Sequence, residues 1–273
     1  MKQTLVTTHR TVRLESEDGL ARLTLDQPER LNGLSARLHA DLREVLDALE
    51  RDANLRCVLL TGAGRGFCSG ADLGSREDNG HDVGPDGRRD LGAMLERDFN
   101  PLVLRLRALP VPVVVAVNGV AAGAGVSLAL AGDVVLAARG ASFVLAFARI
   151  GVMPDAGATW LLPRLIGPAR AMALCLLGEA MGAEAAQQAG LIWRCTDDGA
   201  LMAEAEAVCA RLARGPALAL RHIKTALHAA DENTLLEQLA LETRLQRELG
   251  RSEDCIEGVA AFHEKRPPRF IGR

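Results

Sequence analysis

The stretch Val113–Asp133, VVVAVNGVAAGAGVSLALAGD, predicts an apolar strand, a glycine-spaced turn and an apolar helix in direct succession. Gly119, Gly123 and Gly125 carry no Cβ, so the backbone can turn sharply there and approach another group closely. The helix, predicted to begin near Val126, points its unpaired N–H groups at the same place. This combination stabilises an oxyanion, and the turn is therefore a candidate site for one.

Another turn of the same kind, the first of the two in chain order, follows the strand CVLLT at Gly62–Leu73, where GAGRGFCSGADL supplies several N–H groups with little side-chain cover. Two turns that each lend one N–H are what the stabilisation of an enolate or tetrahedral oxygen requires. Two ordinary strand-to-helix turns are the alternative at this point. A nucleotide-binding loop does not fit, because the pattern GxxxxGK(S/T) is missing and Phe67 and Leu128 occupy the third glycine positions of the dinucleotide pattern.

Length and composition indicate one large globular domain with at most a small appendage. The chain has 273 residues, of which 48% are hydrophobic and 25% charged. A formal net charge of −3 and an aromatic content of 3% argue against binding to nucleic acid or to an anionic membrane. The six cysteines lack C-x-x-C spacing, and the sequence has neither a signal-peptide core nor a membrane-spanning apolar run. These features predict a cytoplasmic protein with free thiols.

Apolar spacing predicts an α/β protein built from repeated strand and helix units. Ala21, Leu23 and Leu25 alternate with polar neighbours, as in a strand with one buried face. An amphipathic helix is predicted from the apolar residues Leu38, Leu42, Val45, Leu46 and Leu49. Further strands are predicted at Val58–Leu60, Val113–Val117, Val134–Ala137 and Leu191–Trp193.

Two segments differ from this pattern. Residues 74–90 are polar and glycine-rich, which predicts a mobile surface loop over the substrate entrance or an inert insertion. Residues 201–273 are typical of helices, with Leu235 and Leu239 on one helical row, and are too few to be stable alone. The predicted division is a core of residues 1–200 and a C-terminal helical region that packs on a neighbour.

Three motifs occur in one order along nearly the whole chain, namely CVLLTGAGRGFCSGADL, PVVVAVNGVAAGAGVSLALAGD and FARIGVMPDAGATWLLPRLIG. This series resembles the crotonase (enoyl-CoA hydratase/isomerase) superfamily. The runs MPDAGATWLLPR, RAMALCLLGE, GLIWR and EGVAAFHEKRPPRF are also similar to those of its ring-1,2-epoxyphenylacetyl-CoA isomerases of phenylacetate degradation. The resemblance implies a spiral of ββα units, an acyl-CoA substrate, no metal or redox cofactor, and a homotrimer or dimer of trimers formed through the C-terminal helices.

The resemblance places the two oxyanion donors at the backbone N–H groups of Ala71 and Ala124, and the acid/base group at Asp155 in VMPDAGATW. From the residues alone, Asp155 is equally consistent with a helix N-cap or with a carboxylate whose pKa is raised by apolar neighbours. The resemblance favours the second interpretation. Hydratases of the superfamily carry two glutamates where this chain has Ser127 and Phe147, so the prediction is an isomerase and not a hydratase.

Binding of the coenzyme A portion is predicted near the first turn and in the C-terminal tail. The candidates are Arg30, Ala71, Asp72, Leu73, Phe262 and Lys265. A turn-stabilising role for Asp72 and a solvated side chain for Lys265 are the alternatives. None of the six histidines is assigned a role, because they form no cluster in the sequence.

The reaction implied by the resemblance removes the proton alpha to the thioester and returns it at another carbon. It converts 2-(1,2-epoxy-1,2-dihydrophenyl)acetyl-CoA to oxepin-CoA. A Δ3,Δ2-enoyl-CoA isomerase of fatty-acid oxidation, which uses the same donors and one carboxylate, is an alternative. A second alternative is a crotonase-fold binding protein without activity, for example one that contacts RNA, and the acidic net charge argues against it.

Overall fold

The computed structural model describes residues 5–72, 83–84 and 86–273, which form two β-sheets and a set of helices packed around them. The strands are β1 (Leu5–Thr8), β2 (Val12–Glu17), β3 (Leu20–Leu25), β4 (Cys57–Gly62), β5 (Gly66–Cys68), β6 (Val113–Val117), β7 (Val120–Ala122), β8 (Val134–Ala138), β9 (Ser142–Val144), β10 (Ala180–Gly182) and β11 (Arg194–Thr196). The α-helices are α1 (Ala36–Arg51), α2 (Leu91–Met94), α3 (Asn100–Ala108), α4 (Ala124–Leu130), α5 (Ala158–Ile166), α6 (Pro168–Leu177), α7 (Ala183–Ala189), α8 (Leu201–Ala213), α9 (Ala217–Ala229), α10 (Leu235–Leu249) and α11 (Glu253–Glu264). A π-helical turn at Leu95–Phe99 joins α2 to α3, and 3-10 turns lie at Pro28–Arg30 and Ala146–Ile150.

The strands are shared between the two sheets in a repeating order. The larger sheet has the order β1-β2-β3-β4-β6-β8-β11 and is parallel from β3 onwards, whereas the smaller has the order β10-β9-β7-β5. Each unit sends one strand to the larger sheet and the next to the smaller, as in β4 then β5, β6 then β7, and β8 then β9, and helices follow. This arrangement confirms the predicted α/β layout of ββα units.

The regularly spaced apolar residues form the core as predicted. Ala21, Leu23 and Leu25 on β3 are fully buried. The buried face of α1 carries Leu38, Leu42, Val45, Leu46 and Leu49, each no more than 3% exposed. The parallel strands β4 and β6 are buried at every position, because helices cover a parallel sheet on both faces.

Two predicted boundaries differ from the structure. The strand predicted at Leu191–Trp193 is wrong, because the strand is β11, which begins at Arg194. The N–H groups of Leu191 and Ile192 both donate to the Ala186 carbonyl, so these two residues complete the end of α7. Both side chains are buried there. The helix predicted to begin near Val126 begins two residues earlier, as α4.

The predicted surface loop at residues 74–90 lies largely outside the described residues. In its described part, Val83 pairs with Arg89, and the Gly84 N–H donates to the Arg88 carbonyl at 2.7 Å. Leu73, which was predicted to bind coenzyme A, also lies outside the described residues.

Residues 201–273 are helical as expected, but their first helix packs against the larger sheet. Helix α8 contacts β4, β6 and β8 and buries Leu201, Ala205 and Cys209. Asp133 then ties α9 to this sheet, since its Oδ2 accepts from the Val113 N–H and from Lys224 Nζ, each at 2.7 Å. The division predicted at residue 200 stays a prediction, and α8 lies against the core. No helix in the described part of the chain combines the length and apolarity needed to cross a bilayer.

Candidate active site

Each predicted glycine turn contains a short strand, β5 within Gly62–Leu73 and β7 between Gly119 and Gly123, and the chain leaves these neighbouring parallel strands side by side. Strand β5 pairs with β7, with Gly66 opposite Val120 and Cys68 opposite Ala121. Neighbouring parallel strands end at the same edge of a sheet, so the chain leaves both strands at one place. The two turns therefore meet, as an oxyanion site formed by both requires.

The backbones of the two turns approach so closely that only glycine fits between them. A Cβ on Gly70 would lie 2.6 Å from the Ala122 carbonyl oxygen and 3.2 Å from the Ala124 amide nitrogen. A Cβ on Gly125 would lie 2.3 Å from the Cys68 carbonyl oxygen. These neighbours are backbone atoms, which cannot move aside as a flexible side chain does. The two glycines thus bring Ala71, which follows Gly70, close to Ala124, which precedes Gly125.

The direction of the Ala71 N–H is set by a single parallel bridge to Leu34. The Leu34 N–H donates to the Gly70 carbonyl at 2.7 Å, and the Asp72 N–H donates to the Leu34 carbonyl at 3.3 Å. In an extended chain, alternate backbone groups point to opposite sides. The Ala71 N–H therefore points away from Leu34 and is available to a ligand.

Ala124 offers the second N–H because it is the first residue of α4. Gly123 precedes it with φ of 52° and ψ of −128°, a left-handed conformation that favours glycine. The N–H groups of Gly123 and Val126 are used, since they donate to the carbonyls of Val144 and Gly123. The first N–H of a helix has no partner within the helix, so that of Ala124 is directed at whatever lies before α4.

Asp155 is a half-buried carboxylate in the turn that precedes α5. Burial raises its pKa from 3.8 to about 6, although a hydrogen bond from its own backbone N–H acts in the opposite direction. Its Oδ1 is buried and has no hydrogen-bond partner in the described part of the chain. Such a group accepts a proton near neutral pH and can return it.

The N-cap interpretation of Asp155 is wrong. The residue at the N-cap of α5 is Gly157, and no side chain caps the helix. Asp155 contributes only its carbonyl, which accepts from the Ala158 N–H at 3.0 Å. Ala156 and Gly157 are both left-handed, with φ of 48° and 85°, and this double turn separates the Asp155 side chain from the helix axis. The carboxylate is therefore not occupied in capping.

Ser127 connects the Asp155 segment to the oxyanion turns. Its buried side chain donates from Oγ to the Asp155 carbonyl at 2.9 Å. Ser127 lies three residues after Ala124 on α4, so the two share one face of the helix. The contact joins residues 28 positions apart. Neither local spacing nor the resemblance pointed to it, because no local pattern encodes such a pairing.

Phe147, which the resemblance places at the other glutamate position of hydratases, covers the turn at Gly123 with its ring. It is 8% exposed, and its Cζ lies 3.7 Å from where a Cβ on Gly123 would be. Together with Ser127 it supplies a hydroxyl and an aromatic ring. Neither side chain can act as a general base at neutral pH, so Asp155 is the candidate carboxylate at these three positions.

A small cavity extends from Ala71 between α1 and the segment that begins at α2. Its apolar lining comes from Leu34, Ala71, Leu91, Met94 and Phe99. His39 also lines it and is 2% exposed. No local pattern distinguishes His39, because a histidine at an apolar position of an amphipathic helix is interpreted as a core residue.

Arg30 and Asp72 are paired beside the first turn. Arg30 Nη1 donates to Asp72 Oδ2 at 3.0 Å, and the Arg30 side chain is more than half exposed. The carboxylate of Asp72 is mostly buried. The structure thus brings these two predicted binding residues together with Ala71, and it gives Asp72 the turn-stabilising contact that was the alternative for it.

Phe262 and Lys265 lie at the end of α11. Phe262 is 80% exposed, and Lys265 is the exposed left-handed residue that ends the helix. In the described chain, no hydrogen bond or ion pair joins either side chain to the turns at Ala71 and Ala124. A single subunit therefore does not bring the tail candidates to the turns by such contacts.

Comparison with known proteins identifies one family along most of the chain. The family described as "Enoyl-CoA hydratase/isomerase" matches residues 15–273. A relative in Escherichia coli K12, named "1,2-epoxyphenylacetyl-CoA isomerase", is 53% identical over 94% of this chain and 97% of its own length. A relative in Rhodobacter capsulatus, named "Probable enoyl-CoA hydratase", is 49% identical over 97% of this chain and 99% of its own length.

Solved structures show that the fold is shared as well. A putative enoyl-CoA hydratase/isomerase from Mycobacterium abscessus superposes with a TM-score of 0.86 at 34% identity, covering 99% of this chain and 100% of the other. A putative enoyl-CoA hydratase from Streptomyces coelicolor A3(2) gives 0.85 at 39% identity, covering 98% and 96%. The spiral of ββα units implied by the resemblance is therefore confirmed.

Proposed function

This chain belongs to the enoyl-CoA hydratase/isomerase family, and we propose that within this family it is a CoA-thioester isomerase and not a hydratase. The observation that carries the proposal is the half-buried carboxylate of Asp155, whose pKa is raised to about 6. At the two positions where the resemblance places the glutamates of a hydratase, this chain has Ser127 and Phe147. The proposed substrate is 2-(1,2-epoxy-1,2-dihydrophenyl)acetyl-CoA, and the product is oxepin-CoA. The 53% identity to the isomerase of Escherichia coli supports this choice and a role in phenylacetate catabolism.

The proposed mechanism needs one base and two N–H donors. Asp155 takes the proton from the carbon alpha to the thioester, and the electron pair moves onto the thioester oxygen. The N–H groups of Ala71 and Ala124 stabilise that enolate oxygen. The three-membered ring opens into the seven-membered oxepin, and Asp155 returns the proton at a ring carbon, which leaves an exocyclic double bond conjugated with the thioester. Substrate and product have the same composition, so the reaction is redox-neutral and is proposed to need no metal or redox cofactor.

The Δ3,Δ2-enoyl-CoA isomerase alternative uses the same three groups, because that reaction also moves one proton through an enolate. The test is a direct comparison of the purified protein with the ring epoxide and with a 3-enoyl-CoA. Higher kcat/KM for the epoxide supports the proposed substrate, and higher kcat/KM for the linear thioester supports the alternative. Lack of turnover of both would favour a binding protein without activity. We propose the cytoplasm as the location, since its reducing conditions keep the six thiols free.

Hydration of crotonyl-CoA is expected to be negligible beside isomerisation. Addition of water requires a base that activates the water, and Ser127 and Phe147 stand where the family's hydratases place their glutamates. The measurement is the loss of the enoyl absorbance with crotonyl-CoA, with a hydratase of the family as positive control. A hydration rate close to the isomerisation rate would contradict the assignment, because it would require a water-activating residue other than these.

We also propose that the protein acts as a homotrimer or dimer of trimers, with the coenzyme partly enclosed by a neighbouring chain. The C-terminal helices expose large apolar side chains, a pattern that marks an interaction surface. These are Ile223, Leu227, Leu235, Leu236, Leu239, Ile256, Val259 and Phe262. Since Phe262 and Lys265 are not joined to the oxyanion turns within one chain, the proposal is that they complete the site of an adjacent subunit.

Leu236→Glu is expected to shift the assembly towards monomer and to weaken binding of CoA thioesters. Leu236 is 79% exposed on α10, so the charge is tolerated in a monomer and is costly only in an interface. The measurement is light scattering at micromolar concentration, together with KM. Leu104→Glu, at a 66% exposed position on α3, is the matched control and is expected to change neither.

A fully active monomer of the unaltered protein would contradict both the assembly and the shared site. A truncation at Ala200 is a weaker test than Leu236→Glu. It also removes α8, whose loss uncovers the larger sheet and causes aggregation whatever the assembly.

A further inference from the structure

His39 is a buried histidine on α1 that the proposed mechanism does not use. Its ring packs edge-on against Phe99, with the two ring centroids 4.4 Å apart. Its Nε2 is buried and has no hydrogen-bond partner in the described part of the chain. A buried polar atom without a partner is destabilising. Because Nε2 lies in the wall of a cavity, a ligand bound there can supply the missing hydrogen bond.

The imidazole is neutral at pH 7. Burial lowers its pKa from 6.5 to about 4; nearby Asp98 opposes this, and Arg43 and Arg97 add to it. The negative charge of Asp98 is already balanced, because its carboxylate accepts hydrogen bonds from Arg43 at 2.9 Å and from Arg97 at 2.7 Å. A neutral imidazole has one N–H and one lone pair, and in the tautomer with its proton on Nε2 that nitrogen donates a hydrogen bond without a charge.

His39 lines the cavity that also reaches Ala71, the candidate donor to the thioester oxygen. An acyl group whose carbonyl is held by Ala71 is thus placed beside the cavity containing His39. Most of the adjacent wall is apolar and comes from Leu34, Met94 and Phe99. The apolar character of this wall suits the ring of an aromatic acyl group, which must widen the cavity from about 30 Å³ to enter it, and a polar atom on that ring needs a partner there.

Other polar residues of the cavity are less suited to donate to a ring oxygen. Asp72 and Asp98 are carboxylates that accept hydrogen bonds from Arg30 and from Arg43, and an ether oxygen only accepts. Arg89 is exposed. Ser35 Oγ accepts from the Leu38 N–H at the N-cap of α1, which holds the hydroxyl at the helix end and leaves only its O–H to donate. His39 therefore offers the unused buried nitrogen of this cavity.

We propose that His39 is a specificity residue whose Nε2–H donates a hydrogen bond to the ring oxygen of the epoxide and of the oxepin, an inference that rests on the proposed function. A linear 3-enoyl chain carries no oxygen beyond its thioester, so its binding leaves Nε2 unpaired. His39 thereby favours the ring substrate over the linear one. Sites built to hydrogen-bond a substrate atom discriminate strongly against analogues that lack it.

The test compares His39→Leu with His39→Gln on both thioesters. Leucine removes the donor, and the ratio of kcat/KM for the ring epoxide to kcat/KM for the 3-enoyl-CoA is expected to fall about tenfold, the effect of one lost hydrogen bond. Glutamine places an amide near the position of Nε2 and is expected to keep most of the ratio. The ratio cancels any loss of folded protein, because both substrates meet the same preparation.

Three outcomes overturn the proposal, and they are distinguishable. If the unaltered protein turns over the epoxide and His39→Leu keeps its ratio, His39 only fills space and the specificity role is wrong. If the unaltered protein is inert towards the epoxide, the proposed function itself is wrong and the His39 proposal falls with it. A fall of the ratio in both variants would also contradict a role as hydrogen-bond donor, since the amide of glutamine can donate.

Discussion

Asp155→Asn is expected to lower kcat for isomerisation by at least about 10²-fold and to leave binding of CoA thioesters nearly unchanged. The amide fills the same space as the carboxylate but cannot take a proton. The partly buried position also favours this substitution, since an amide is easier to bury than a charge. The measurement is kcat with the ring epoxide, with the Kd of a product thioester as the binding control.

The pH dependence of kcat provides a second test of the role of Asp155. Asp155 must be ionised to accept a proton, and with a pKa of about 6 its ionised fraction grows as the pH rises through that value. The kcat of the unaltered protein should therefore fall as the pH is lowered below about 6, and this limb should disappear from the residual activity of Asp155→Asn. Asp197→Asn, at an exposed position paired with Arg139, is a matched control expected to keep both kcat and the limb. Unaltered turnover in Asp155→Asn would show that the proton is moved by another group.

Features encoded by local spacing were predictable, whereas contacts between distant residues were not. The helix α1 and the strand β3 follow from apolar residues at regular intervals, and the glycine turns follow from residues that only a close backbone approach requires. The same rule failed at Leu191–Trp193. There the N–H groups of Leu191 and Ile192 donate to the Ala186 carbonyl and complete the end of α7, and bonding to the sheet begins only at Trp193, whose N–H donates to the Val135 carbonyl.

In the candidate site, too, the features encoded by local spacing could be predicted and the contacts between distant residues could not. The meeting of the two turns depends on the pairing of β5 with β7, which repeated strand and helix units suggest but do not specify. The Ser127 contact to Asp155 and the unpartnered nitrogen of His39 depend on the tertiary fold alone. Such groups carry no periodic signal, since one hydroxyl or one imidazole on a buried helix face reads as part of the core.

Ala124→Pro is expected to lower kcat by about 10²- to 10³-fold, the effect of removing one oxyanion donor. Proline lacks the N–H, and its ring carbon takes the place of that hydrogen and projects towards the bound oxygen. The fold should tolerate the change, because Ala124 is the first residue of α4, where proline is favoured. Gly123, the residue before it, has φ of 52° and ψ of −128°, the mirror image of the extended conformation that precedes proline, and glycine adopts either hand of that conformation.

Glu253→Pro is the matched control for this substitution. Glu253 is the exposed first residue of α11, and Ser252 before it is extended, with φ of −74° and ψ of 150°. The same chemical change is thus made at the same helical position, away from the two turns, and is expected to leave kcat unchanged. Circular dichroism and Tm check that both variants fold. If Ala124→Pro is folded and keeps normal kcat, the enolate oxygen is not held by the N–H of Ala124, and the two-turn oxyanion site is wrong even if Asp155 is the base.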